Sequence, residues 1–128
     1  VTLTTGFDHD TVLREMVQTA TPIERVLIAY DHLDVVLERA QAAMGAGRPQ
    51  EVNESLKRAQ SLLAFLSIAL DHEHFEAASL ADKVYLYCWR RLIVANTRLD
   101  IEALREVKHH VSTLGAAFRQ AAGGLGAS

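Results

Sequence analysis

Apolar residues return along most of this chain at steps of three and four, the spacing that puts side chains on one face of a helix. After Pro22, Ile23, Tyr30, Leu37 and Met44 recur every seven residues, with Val26, Leu33 and Ala40 between them. That is the seam of a bundle helix. Its start is marked by Thr21-Pro22-Ile23-Glu24. Thr21 caps, Pro22 fills the first turn where its missing N–H costs nothing, and Glu24 completes a capping box. Gly45-Ala46-Gly47-Arg48-Pro49 ends the helix near Met44 and turns the chain. The next helix carries Val52, Leu56, Ala59, Leu63, Leu66 and Leu70, and a polar break at Asp71–Glu76 follows. A third helix, Ala77 to Asn96, keeps Ala81, Val84, Cys88, Leu92 and Ala95 on one side. Asp100 caps a fourth, with Glu102 in its first turn and a seam of Leu104, Val107, Val111, Leu114, Phe118 and Ala121. Gly123-Gly124 is expected to stop it. Ahead of all four, Val12, Leu13, Met16, Val17 and Ala20 predict a short helix over Asp10–Ala20.

No segment alternates with period two, so no strands are expected, and no internal repeat is evident. Short connections force antiparallel neighbours. The expected fold is all-α: an antiparallel up-down four-helix bundle with a short extra N-terminal helix. As one domain it divides into a mobile start at 1–9, the short helix at 10–20, the bundle at 21–122 and a flexible tail at 123–128.

The pattern also leaves apolar side chains over. On the helix after Pro22, Ile28, Val35 and Ala42 form a stripe opposite the seam, between an acidic column (Glu24, Asp31, Glu38) and a column of Arg25, His32 and Arg39. On the next helix Leu62, Phe65 and Ile68 widen the seam. Either the core is broad, or the stripes meet a second copy of the chain, or they receive a partner. Each large apolar side chain gains roughly 1.5–3 kcal/mol on full burial. Several left wet usually mark an interaction site.

Composition narrows the choice. With 49% apolar and 23% charged residues the chain is globular rather than disordered. A net charge of -3 without a basic block gives no reason to expect nucleic acid or an anionic membrane. The longest apolar run, Leu62–Leu70, is interrupted by Ser67 and too short to span a bilayer. Cys88 is the sole cysteine, which suits a reducing cytoplasm, and no signal-peptide pattern is seen. Cytoplasmic location is therefore expected.

Several short motifs then occur in a telling order. Thr19-Ala20-Thr21-Pro22 is followed by Tyr30-Asp31, then Ala46-Gly47, Leu70-Asp71-x-Glu73, Arg90-Arg91-Leu92-Ile93-x-Ala95-Asn96 and Asp100-x-x-Ala103-Leu104. In order, spacing and placement on four helices, residues 10–121 resemble the flagellar export chaperone FliS family. Two departures stand out: Val12 lies where the family has an Asn/Tyr-containing stretch, and His74-Phe75 replace a frequent glycine pair. The resemblance implies a small cytoplasmic chaperone that binds the C-terminal segment of flagellin, prevents its premature polymerisation and helps deliver it to the export gate. It implies no cofactor and a monomer when free. A homodimer or adaptor without a flagellin client is the alternative.

On this reading the client's apolar face is covered by Val12, Met16, Ile28, Val35, Leu62, Phe65, Ile68, Tyr85 and Trp89. Tyr85, Trp89 and Asn96 share a face beside the third seam. Tyr87, Arg90 and Arg91 are left to the rim or to pairs inside the bundle, with Asp31 or Asp71 as candidate partners of Arg91. Tyr30, on the seam, is assigned to the core. Other chemistry is expected to be absent. Asp71-His72-Glu73-His74 and Glu106-x-x-His109 suggest metal, but Glu106 and His109 lie off the seam and a second inward Glu-x-x-His is missing. Cys88, on an apolar seam, is an unreactive thiol. No glycine-rich phosphate loop is present. An enzyme is not expected.

Overall fold

The computed structural model describes residues 21–69 and 78–127. Within them four helices follow one another: α1 (Pro22–Gly45), α2 (Pro49–Ala69), α3 (Ala78–Arg98) and α4 (Ile101–Ala127). The predicted short helix at 10–20, the polar break after Leu70 and the residues 1–9 lie outside the described residues.

The local signals place the helix ends. Thr21 is extended, and its hydroxyl oxygen accepts the Glu24 N–H at 3.3 Å while its proton goes to Glu24 Oε1 at 2.8 Å. At the far end of α1, Gly47 takes a left-handed φ of 70°, and the Arg48 N–H donates to the Ala43 carbonyl at 2.9 Å. The α3–α4 joint closes the same way without glycine. Leu99 has φ 50°, and the Asp100 N–H donates to the Ala95 carbonyl at 3.1 Å. A left-handed leucine costs on the order of 1–2 kcal/mol. The start of α4 is immediately capped, since Asp100 Oδ1 accepts from the N–H groups of Glu102 (3.0 Å) and Ala103 (3.3 Å).

Side-chain pairs give the helix directions. Between α2 and α3, Asn53 meets Asn96, Gln60 meets the Trp89 carbonyl, and Ser67 meets Asp82. Each step of seven up α2 is a step of seven down α3, so the two run antiparallel. Between α4 and α1, Arg119 binds Asp31 (2.7 Å) and Asp34 (3.3 Å), while Lys108 binds Glu38 and Gln41. These two are antiparallel as well. Each helix packs on its neighbour in the chain and α4 closes on α1, making a four-helix ring.

The core contains most of the predicted seam residues among the described ones. Leu33, Leu37, Leu56, Leu63, Leu66, Leu92 and Leu104 are fully buried. Near the middle, the Tyr30 and Tyr85 hydroxyls are hydrogen-bonded to each other across the bundle, and the Tyr30 ring stacks on Phe118 with centroids 5.7 Å apart. Gly115 makes room for that ring: a Cβ there would stand 3.2 Å from Tyr30 Cδ1 and 3.0 Å from Arg119 Nη1.

Two helix ends and one seam position differ from expectation. Helix α3 runs two residues further, to Arg98. Helix α4 passes through Gly123-Gly124 to Ala127, so the tail expected from residue 123 is helical there. Interior glycine costs about 1 kcal/mol relative to alanine, which weakens a helix without ending it, and no proline follows. Ala121 is exposed rather than on the seam.

Candidate partner-binding groove

The α2–α3 seam is unlike an ordinary helix contact. Inside it is apolar core, and along its edge stand three polar links: the Asn53–Asn96, Gln60–Trp89 and Ser67–Asp82 pairs. Outside them the surface becomes apolar. A groove of about 280 Å³ is lined by Leu63, Ala64, Ser67, Asp82, Tyr85, Leu86 and Trp89. Leu86 is 50% exposed and Trp89 38%, and Ile93 continues the same stripe of α3 at the helical spacing i, i+3, i+7. Ile68, near the end of α2, is 84% exposed, and Leu80 is open near the start of α3. Aromatic and aliphatic side chains around a shallow groove form a surface that can take an apolar helix face.

The structure divides the predicted contact residues. Trp89 lines the α2–α3 groove, and Ile68 is exposed near the end of α2 without lining it. Val35 is exposed on α1, while Ile28 and Phe65 are half-buried against the core; none of the three lines the α2–α3 groove. Leu62 is corrected to core: it is fully enclosed, and so are Leu63 and Leu66 on the same helix. Tyr85 is corrected as well. It is buried, its hydroxyl is held by Tyr30, and it reaches the groove only as part of its floor. Tyr30 is core, as expected. Val12 and Met16 lie outside the described residues. Sequence reasoning missed Leu80, Leu86 and Ile93. The signal was there: Leu86 and Ile93 are seven apart with Trp89 between, on a stripe offset from the Cys88–Leu92–Ala95 seam.

The polar residues of α3 find other partners than those proposed. Arg91 Nε donates to Glu106 Oε1 at 2.7 Å, and the Tyr87 hydroxyl donates to Glu106 Oε2 at 2.7 Å. Asp31 is instead held by Arg119, and Asp71 lies outside the described residues. The Tyr87 hydroxyl, with help from Arg91, holds the Glu106 carboxyl below its ordinary range; the same bond pushes the Tyr87 phenol up. Asn96 Nδ2 donates to Asn53 Oδ1, a structural role, and Arg90 is exposed. Burial, reinforced by Glu106, pushes the Cys88 thiol up to about 12, so little thiolate is present near neutral pH. Among the described residues no group of three or more His, Cys, Asp and Glu could hold a metal ion. None of the described helices is long and apolar enough to cross a membrane.

The sequence matches the family described as "Flagellar protein FliS" over residues 8–124. The chain belongs to the FliS family. It is 31% identical over 105 residues to the "Flagellar secretion chaperone FliS" of Bacillus subtilis, covering 82% of this chain and 78% of that protein. It is 30% identical over 106 residues to the protein of the same description from Salmonella typhimurium, covering 81% of this chain and 78% of that one. FliS proteins are flagellar secretion chaperones and not enzymes, so the family agrees with a site that offers apolar surface rather than reacting groups. Within this FliS bundle, the helix carrying Arg90–Asn96 turns Leu92 and Ala95 to the core and Ile93 to the outside.

Proposed function

We propose that this chain is a cytoplasmic secretion chaperone for flagellin. It holds the C-terminal helical segment of flagellin, prevents premature polymerisation and assists delivery to the flagellar export apparatus, with the export gate as a further partner. The observation that carries the reading is the open stripe of Leu86, Trp89 and Ile93 beside Ile68. A helix that would coil against its own kind must have its apolar face covered, and this stripe suits that task. Covering each such side chain fully gains roughly 1.5–3 kcal/mol. The client must be ordered on binding, which offsets part of this and keeps a large contact reversible. Trp89 is the natural anchor, tryptophan being among the commonest hot-spot residues. The exposed Val35 and half-buried Ile28 on α1 are a second strip that a longer client segment reaches.

The free chain is a monomer on this reading. Calorimetry with a C-terminal flagellin fragment from the same source tests it: one-to-one binding is expected. Trp89, the single tryptophan, reports the event by a blue shift of its emission. Binding should be lost in Leu86→Asp and weakened in Val35→Asp, with both variants melting near the parent. Concentration-dependent dimerisation in light scattering, together with no flagellin binding, would establish the homodimer instead.

A further inference from the structure

Exposed cations lie on the helix ridges beside the α2–α3 groove. On α3, Lys83, Leu86, Arg90 and Ile93 succeed one another along the outward ridge, at spacings of three and four. On α2, Lys57 lies seven residues before Ala64 and so shares its line along the helix. All three cations are exposed, and among the described residues none is in an ion pair. Several cations elsewhere are matched, Arg91 with Glu106, Lys108 with Glu38 and Arg119 with Asp31 and Asp34, while Arg58 and Arg98, like these three, are in no ion pair among the described residues. The one carboxylate lining the groove, Asp82, accepts a hydrogen bond from Ser67 at 2.7 Å. In a chain of net charge -3, an apolar stripe thus runs beside three cations that are in no ion pair among the described residues, with the Asp82 carboxylate in the groove itself.

We propose that the segment seated in this groove is an amphipathic helix whose apolar stripe is flanked by acidic side chains, which meet Lys57, Lys83 and Arg90. The proposal rests on the chaperone reading and adds the chemistry by which a client is chosen. Apolar contact supplies the holding. The charges lie on the wet rim, where an ion pair contributes little to affinity but steers the approach of an oppositely charged partner and disfavours a like-charged one. Such steering is weakened by salt.

The test is stopped-flow tryptophan fluorescence on the whole chain. Two synthetic helical peptides share one apolar stripe, one flanked by glutamate and the other by lysine. The C-terminal flagellin fragment is the third ligand. The glutamate-flanked peptide should associate faster than the lysine-flanked one, by about tenfold or more at low salt, with the gap closing as salt rises. The triple variant Lys57→Glu, Lys83→Glu, Arg90→Glu should reverse the order of the peptides while melting like the parent. The flagellin fragment should follow the glutamate-flanked peptide. Equal rates for the two peptides, no binding of either, or a fragment that binds with rates indifferent to salt and to the triple variant would overturn the charge proposal. A fragment that does not bind at all, beside a preference for the glutamate-flanked peptide, would instead overturn flagellin as the client and leave the groove's chemistry standing.

Discussion

The α1–α4 seam and the α2–α3 seam are both antiparallel and apolar inside, yet their outer edges are finished differently. Between α1 and α4 the inside is apolar and aromatic, with Tyr30 stacked on Phe118 over the notch at Gly115. The outside is closed by Arg119 on Asp31 and Asp34 and by Lys108 on Glu38. Between α2 and α3 the inside is apolar too, with Leu56, Leu63, Leu66, Tyr85 and Leu92 buried, but the edge is closed only by amides, a hydroxyl and a carboxylate, with open apolar side chains beside them. A seam whose only task is to hold the fold hides its apolar groups and wets its charges. An edge that keeps Leu86, Trp89 and Ile93 open leaves apolar area for another chain to cover.

If that contrast is right, substitutions in the two regions should separate stability from binding. The largest loss belongs in the sealed core: Leu37→Ala should lower the unfolding free energy by about 2–5 kcal/mol, read from urea melts. Tyr30→Phe comes next. It leaves the buried Tyr85 hydroxyl unpaired and should cost about 1–3 kcal/mol. Tyr30→Phe with Tyr85→Phe should cost less than the sum of the two single changes, because the pair is removed together.

The same pair makes the core sensitive to alkali. Burial first, and the neighbouring tyrosine next, pushes the Tyr30 phenol up. Tyr85, chiefly by burial, is pushed from 10.0 to about 12. Folded values above unfolded ones mean that the neutral pair's contribution is whole below about pH 10 and is lost as pH climbs towards about 12. The buried Cys88 thiol, pushed from 9.0 to about 12, loses its contribution over a range that begins lower. Thermal melts across this range should fall steeply for the parent, and later for the double phenylalanine variant. A parent that melts alike at pH 9 and at about pH 12 would break the argument.

Smaller still, Asp100→Ala removes the cap of α4 and should cost about 1 kcal/mol. Least of all on stability is Leu86→Asp on the open lip, within about 0.5 kcal/mol of the parent. On the proposed chaperone function its consequence should be for client binding alone. If Leu86→Asp unfolds the chain as Leu37→Ala does, the two regions are not different in kind.

Much of the bundle was legible because its signals are local. Thr21, Pro22 and Glu24 start α1, and Asp100 starts α4, through bonds that span a few residues. The seams were legible because a helix repeats its face. The groove was harder. Leu62 and Trp89 both look like surplus beside a seam, yet one is enclosed and the other open. Arg91 had several carboxylates to choose from in the sequence, and only packing brought it to Glu106.

The sequence by itself thus determined the four helices, their caps, their inward faces and the family to which the chain belongs. Those follow from backbone hydrogen bonding and from a period of 3.6 residues, both written in near neighbours. Tertiary structure alone decided which of the remaining apolar residues are covered, since that depends on how far each helix is rotated against the one beside it. It enclosed Leu62 and Tyr85 and left Leu86, Trp89 and Ile93 in the open.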